Sequence, residues 1–480
     1  MRPKLRHFIF VWLIGMPMYV MQAQENRLES HNSAVTEDAG EFMDPFLDPS
    51  MIADIGGEAL PIEGEYPLQV YGSVEIEAAY SHQRPEPEWT KLQALVKLNL
   101  DYSPTDEQRY FLSWMGFHDF AYDHIGHDQF DRDTLQEYES ESEIHEAYVD
   151  LTASSSWRIR AGRQIIVWGN SEIDRILDVV TPLDQREMGM KDLGDQRLAA
   201  TALKLAGYYA PWQIEFVVLP EVRTDRLGTA DSAVDPYAPF RGAGVVIQDE
   251  EVPGWNAENA EFAMKTSYLF HGGDFSIMAA DLFDDAPYLD FTSFDGTNII
   301  LTPKHRRISV IGASLNRSSG SWLLKSEFAG KLGKAVHRND VMAQGLAGSL
   351  EVRSWEKKDI LHGMVGMEYS GIANLFFALE YVNSTVLDFD DSLAGARSSD
   401  AVGVIARHKA LRETLETSLT WFHSLVGSDG DLLRLDVEYD LSDIWSIGIG
   451  AAMFDAREGD NFLYDYRHSD RAYLSLGAKF

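Results

Sequence analysis

The chain has 480 residues, no cysteine and a formal net charge of −35, with a mean hydropathy of −0.23. Without cysteine there is no disulfide, no acyl-lipid anchor and no thiolate metal site. The acidic balance excludes nucleic acid as a partner, because neutralising phosphates takes Lys and Arg, and it speaks against a generic basic pore for anionic solutes. Hydrophobic residues make up 45% of the chain, yet beyond the N-terminus no stretch approaches the ~20 uninterrupted apolar residues of a spanning helix.

In chain order, Arg2, Lys4 and Arg6 form a basic start, Phe8 to Val20 is an apolar run broken by Pro17, and Ala23 is a small residue at a cleavage position. This predicts a cleaved secretory signal peptide over 1–23. Residues 24–66 gather acidic side chains around Asp44-Pro45-Phe46-Leu47-Asp48-Pro49. So acidic a segment with helix breakers reads as a mobile N-terminal extension on the periplasmic side.

From Leu68 the period changes to two. Leu68, Val70, Val74, Ile76 and Tyr80 alternate with Gln69, Tyr71, Ser73, Glu75 and Ser81, and Leu92 to Tyr102 repeats the pattern. Such runs are strands with one apolar and one polar face. Short turn-like links (103–106, 154–156, 210–211, 271–274, 317–320, 371–374, 408–410, 441–443) alternate with longer polar ones (121–141, 169–196, 220–258, 284–305, 331–358, 385–398, 455–469). That alternation predicts, over 67–480, an all-β transmembrane antiparallel β-barrel of about 18 strands with both termini at the short-turn end. Strand 399–408 has the weakest pattern, and dropping it with one neighbour gives about 16.

The link from His118 to Glu146 carries His118, Asp119, Asp123, His124, His127, Asp128, Glu139 and Glu143 without an EF-hand or His-Glu-x-x-His pattern. It reads as a solvated acidic loop, bridged through divalent ions to lipopolysaccharide phosphates, and no residue is assigned as a metal ligand. Farther on, Arg158, Arg160, Gln164 and Trp168 share one face of a strand, and the arginines belong in the lumen because Arg at the bilayer midplane costs ~2–4 kcal/mol. Arg163 falls on the other face, with Trp157, and should lie near a membrane interface or at a strand irregularity at Gly162. The link 169–196 that follows holds Asp174, Arg175, Asp178, Asp184, Arg186 and Glu187, with Ile173, Ile176, Leu177, Val179 and Val180 at near-helical spacing. A loop with its own apolar face needs a place to bury it. The reading is an inward-folded constriction loop whose carboxylates stand opposite Arg158 and Arg160, with Trp168 as an apolar contact for solutes.

The run Gly162-Arg163-Gln164, then Trp168-Gly169, then Asp178-Val179-Val180-Thr181-Pro182-Leu183-Asp184 resembles a family of porin-like Gram-negative outer-membrane barrels known mainly as a domain of unknown function. Glu146-Ala147-Tyr148-Val149-Asp150-Leu151 and Gly194-Asp195-Gln196-Arg197 extend the resemblance. It implies an envelope transport component working with a periplasmic lipoprotein and an inner-membrane exporter, with no known chemistry. The chain ends on an alternating strand, with Leu474, Leu476 and Phe480 on one face and Tyr473 on the other. This resembles the C-terminal signal of outer-membrane barrels, which implies the barrel-assembly machinery as a partner and outer-membrane lipid and lipopolysaccharide as surroundings.

The functional expectation is a channel or transport conduit for small polar or amphipathic solutes, lipid-like ones included. The alternatives are a non-conducting structural or adhesive barrel and a barrel-embedded hydrolase. For the hydrolase, His423-Ser424 is the obvious pair, but neighbours on a strand point to opposite faces, and no Gly-x-Ser-x-Gly elbow is present. Neither an enzyme nor a cofactor is expected.

Overall fold

A computed structural model describes residues 67–82, 88–187, 189–230, 232, 234–241, 244–341, 344, 352–427, 429–457 and 461–480. The expected signal peptide and acidic extension lie outside them. The strands are β1 (Leu68–Ser81), β2 (Glu88–Thr105), β3 (Gln108–Asp119), β4 (Ser140–Ser154), β5 (Trp157–Gln164), β6 (Ala200–Tyr209), β7 (Trp212–Leu219), β8 (Val245–Ile247), β9 (Glu261–Phe270), β10 (Gly273–Phe283), β11 (Tyr288–Phe294), β12 (Ile299–Lys304), β13 (Arg307–Ser319), β14 (Trp322–His337), β15 (Trp355–Ile372), β16 (Leu375–Val386), β17 (Ser398–Ala410), β18 (Leu415–Ser424), β19 (Gly430–Asp440), β20 (Trp445–Ala456) and β21 (Arg471–Lys479). Two short helices, α1 (Ala121–Ile125) and α2 (Arg132–Tyr138), lie between β3 and β4.

Eighteen strands, all but β8, β11 and β12, form one antiparallel sheet, and β21 pairs back on β1 to close it. At this seam Ser73 faces Lys479 and Tyr80 faces Ala472. The main chains of Gly72 and Phe480 exchange hydrogen bonds of 2.9 and 3.0 Å. Closure leaves no open edge, which a backbone in hydrocarbon requires. The weakly patterned strand is a full member: β17 pairs with both β16 and β18.

Alternation decides what each wall presents. In β14, Leu324, Phe328 and Leu332 lie exposed on the outside, while Lys325, Glu327 and Ala329 are buried on the inside. Around the barrel Ile311, Val365 and Ile449 are likewise 58–61% exposed. Water would penalise that apolar belt by roughly 25 cal/mol per Å², so the surface belongs in a bilayer. Near the short-turn end, cross-strand pairs Trp157–Tyr209, Trp212–Tyr268 and Trp322–Tyr369 sit with ring centroids 4.5–5.8 Å apart. They mark the aromatic girdle of a membrane interface. The fold is a transmembrane β-barrel with an inward-folded loop.

At the long-loop end the structure adds one feature. The polar links after β7 and β10 contain a small second sheet, with β12 antiparallel to β11 and parallel to β8. Its core is Leu289, Ile299 and Leu301. Single strands of three to seven residues inside polar segments carry too short a period to read.

Candidate functional site

The site is built from β5 and the segment that follows it. Arg158 stands in register with Thr152 and Ala206, and Arg160 with Asp150 and Lys204. Arg160 donates from Nε and Nη2 to Asp150 Oδ2 at 3.0 and 2.7 Å, and its guanidinium lies 4.4 Å from the Tyr148 ring centre. Gly162 adopts φ +129°, and a Cβ there would lie 2.2 Å from the Ala147 carbonyl oxygen. Arg163 pairs with Glu143 at 2.7 Å. Gln164 is buried and donates to the Ala202 carbonyl at 3.0 Å.

After Gln164 the chain enters the barrel. Ile166, Trp168, Ile176, Leu177, Val179 and Val180 are buried against inward-facing small and aliphatic residues of the wall, including Ala202, Ala263, Ala280, Val310 and Ala329. The wall is thinned to admit them. A Cβ on Gly312 would meet Leu177 Cδ2 at 2.2 Å, and one on Gly403 would meet Ile173 Cγ2 at 2.5 Å. The apolar set expected at helical spacing is thus buried, but without a helix. Wall carboxylates take the backbone donors instead.

Two buried carboxylates do most of this. Glu327 of β14 accepts from the Asn170 backbone N–H, from Asn170 Nδ2 at 3.0 Å and from Leu177 N at 3.3 Å. Glu380 of β16 accepts from Ser171 Oγ at 2.7 Å and Glu172 N at 3.1 Å. Lys325 of β14 pairs with Glu380 at 2.7 Å and Glu368 at 2.5 Å, and donates to the Asn170 carbonyl at 2.8 Å. A loop with no ladder of its own must place its donors and acceptors elsewhere when buried. Here the wall supplies them.

The second half of the loop is held by ion pairs. Asp174 meets His362 of β15 at 3.0 Å. Asp178 pairs with Arg197 at 2.9 Å. Arg186 joins Asp184 and Glu141, each at 2.7 Å. Glu187 joins Lys91 of β2 and Lys191, each at 2.8 Å, and Asp192 reaches Arg407 of β17 at 3.2 Å and Arg434 of β19. Burial opposes ionisation of Asp184, yet Arg186 holds its carboxyl below the ordinary value. Burial opposes that of Glu187 too, and Lys191 with Lys91 holds it well below. Arg175 lies 3.5 Å from Asp225 and 3.3 Å from Asp285. Burial first, and then the Asp225 charge, push the Asp285 carboxyl well up.

Two expectations change. The carboxylates of Asp174, Asp178, Asp184 and Glu187, expected opposite Arg158 and Arg160, are paired with His362, Arg197, Arg186, Lys91 and Lys191. Trp168 is 2% exposed, its Nε1 donating to Glu215 at 3.2 Å, so it packs the loop instead of offering a face to solutes. The anchors Lys91, Lys325, Glu327, His362 and Glu380 were not picked out from sequence. The signal was there in β14, where Lys325 and Glu327 fall on the face opposite Leu324 and Phe328. At the other candidate pair, His423 bonds Asp431 at 2.9 Å while buried Ser424 accepts from Asn461 at 3.2 Å. At the seam, Leu474 and Phe480 are exposed outside, and Tyr473 donates to Asp436.

No curated protein sequence matches the chain. Among solved structures it is similar to a BenF-like porin from Pseudomonas fluorescens (9% identity, 86% of this chain and 98% of that one, TM-score 0.49). Pseudomonas aeruginosa OccK9 (OpdG; 10%, 86% and 97%, 0.48) and OpdK (11%, 86% and 99%, 0.46) are others. Each score stays below 0.5, and the fold rests on the strand topology described above. The family described as "Protein of unknown function (DUF1302)" matches residues 89–480, and the chain belongs to it.

Proposed function

We propose that this barrel is an outer-membrane channel, a transport conduit whose aperture is set by the loop between β5 and β6. The observation that carries the reading is the anchoring of that loop inside the lumen by Glu327, Glu380 and Lys325. A segment so tied narrows the lumen with a lining of paired charges. Such a lining favours small polar solutes without a strong preference for one sign, and paired charges bind weakly enough to permit release. Arg158 and Arg160 are proposed to face the solute path on the β5 side. An amphipathic cargo is the other solute class this reading admits.

Planar-bilayer conductance of the purified barrel tests it, comparing wild type with Glu327→Ala/Glu380→Ala. The wild type is expected to conduct in small, steady steps, and the variant in larger and noisier ones, because the loop has lost its anchors. A wild type and variant that both insert and both fail to conduct would replace the channel by a non-conducting structural barrel.

A further inference from the structure

The loop between β3 and β4 reads in sequence as an unpatterned acidic run. Folded, it brings two imidazoles and two carboxylates together from four separate elements. His118 lies at the end of β3, Asp123 in α1, His127 in a 3-10 turn and Glu139 just before β4. His118 Nε2 lies 3.1 Å from Asp123 Oδ2, and His127 Nε2 lies 3.4 Å from Asp123 Oδ1 and 2.9 Å from Glu139 Oε1. The ligand atoms of His118, Asp123 and Glu139 all fall within 4.8 Å of one another.

We propose that these four side chains form a binding site for a divalent transition metal, Zn²⁺. The donor set is neutral imidazole nitrogen and carboxylate oxygen, which suits zinc. Two imidazoles disfavour Ca²⁺ and Mg²⁺, which take oxygen ligands. Tetrahedral zinc with bonds near 2.1 Å has ligand–ligand edges of about 3.4 Å. Of the three contacts that join the four side chains, His127–Asp123 already has that length, and His118–Asp123 and His127–Glu139 need to open by a few tenths of an ångström; His127 must turn further in to complete the group of His118, Asp123 and Glu139. Ion pairing for stability alone accounts poorly for the arrangement, because half-exposed pairs contribute only ~0–1 kcal/mol.

Hydrogen bonds outside the set hold the frame. Buried Asp119, next to His118, accepts from Leu92 N at 2.8 Å and from Ala121 N at 3.0 Å, which fixes the start of α1. Its own N–H donates to the Glu139 carbonyl at 2.7 Å, holding that residue beside β3. Asp131 caps α2 through Thr134 N at 2.7 Å. At the end of α2, Tyr138 donates to the Arg186 carbonyl at 3.3 Å, so an ion here would stiffen a loop that touches the inward one. The site does not depend on whether the barrel conducts.

The test is equilibrium dialysis of the full barrel in detergent against Zn²⁺ alone, with bound metal measured by mass spectrometry. The result expected is one Zn²⁺ per barrel, retained in excess Ca²⁺ and Mg²⁺. His118→Ala/His127→Ala should weaken binding by at least about 100-fold, more than loss of an outer-shell partner typically does. Heat-modifiable electrophoretic mobility should stay at wild type in that variant, confirming a folded barrel. His124→Ala, which alters a neighbouring imidazole outside the set, should bind as wild type. Absence of Zn²⁺ on the wild type, displacement by Ca²⁺, or equal binding by the double variant would each overturn the proposal.

Discussion

At the scale of single residues, the inward loop depends on positions that carry nothing and on positions that carry a buried charge. Gly312 belongs to the first kind, since Leu177 occupies the space its Cβ would need. Gly312→Val should destabilise the barrel by about 1–3 kcal/mol, the usual cost of overpacking, read as a lower thermal midpoint in detergent. Leu177→Ala removes the clashing side chain, so the double variant should lose less than the two single variants added together. Strict additivity would mean that the two side chains do not share the space. Glu327 and Glu380 belong to the second kind, each serving several loop groups at once.

At the scale of elements, the barrel strands were legible because a period of two survives over eight or more residues. The long loops were legible only as polar or apolar. Ile176, Leu177, Val179 and Val180 announced a loop needing burial, and the barrel interior received it. What could not be read was its conformation, because that is set by Glu327 and Glu380, residues about 150 to 210 positions away. The pairing of Glu187 with Lys91 was hidden for the same reason. Acid should act on this loop in a defined sense. The carboxyls of Glu187 and Asp184 sit below their ordinary values of 4.5 and 3.8, so their contribution is present above those values and is lost as pH falls through the depressed ones. Asp285, pushed the other way, contributes at low pH and loses that contribution as pH rises through its raised value. Through Glu187 and Asp184, limited proteolysis of the 165–199 segment should accelerate as the pH falls below about 4. Glu187→Gln should blunt that acid step. An unchanged step would place the sensitivity elsewhere.

At the scale of the whole molecule, β1 and β21 must meet for the sheet to have no edge, and Phe480 is part of that meeting through its backbone bonds to Gly72. Deleting Phe480 should deplete the protein from outer-membrane fractions while leaving synthesis intact, as fractionation and immunoblotting would read. Unchanged abundance would mean that the seam closes without its last residue. The reach of the inward loop has a consequence for timing. Its anchors on the downstream wall, from β14 onward, lie from 150 residues away, at Glu327, to 242 residues away, at Arg434. Contacts that distant reward the chain only after the intervening segments are in place. The loop can thus dock only when the barrel is nearly complete, so a docked loop records a finished circumference.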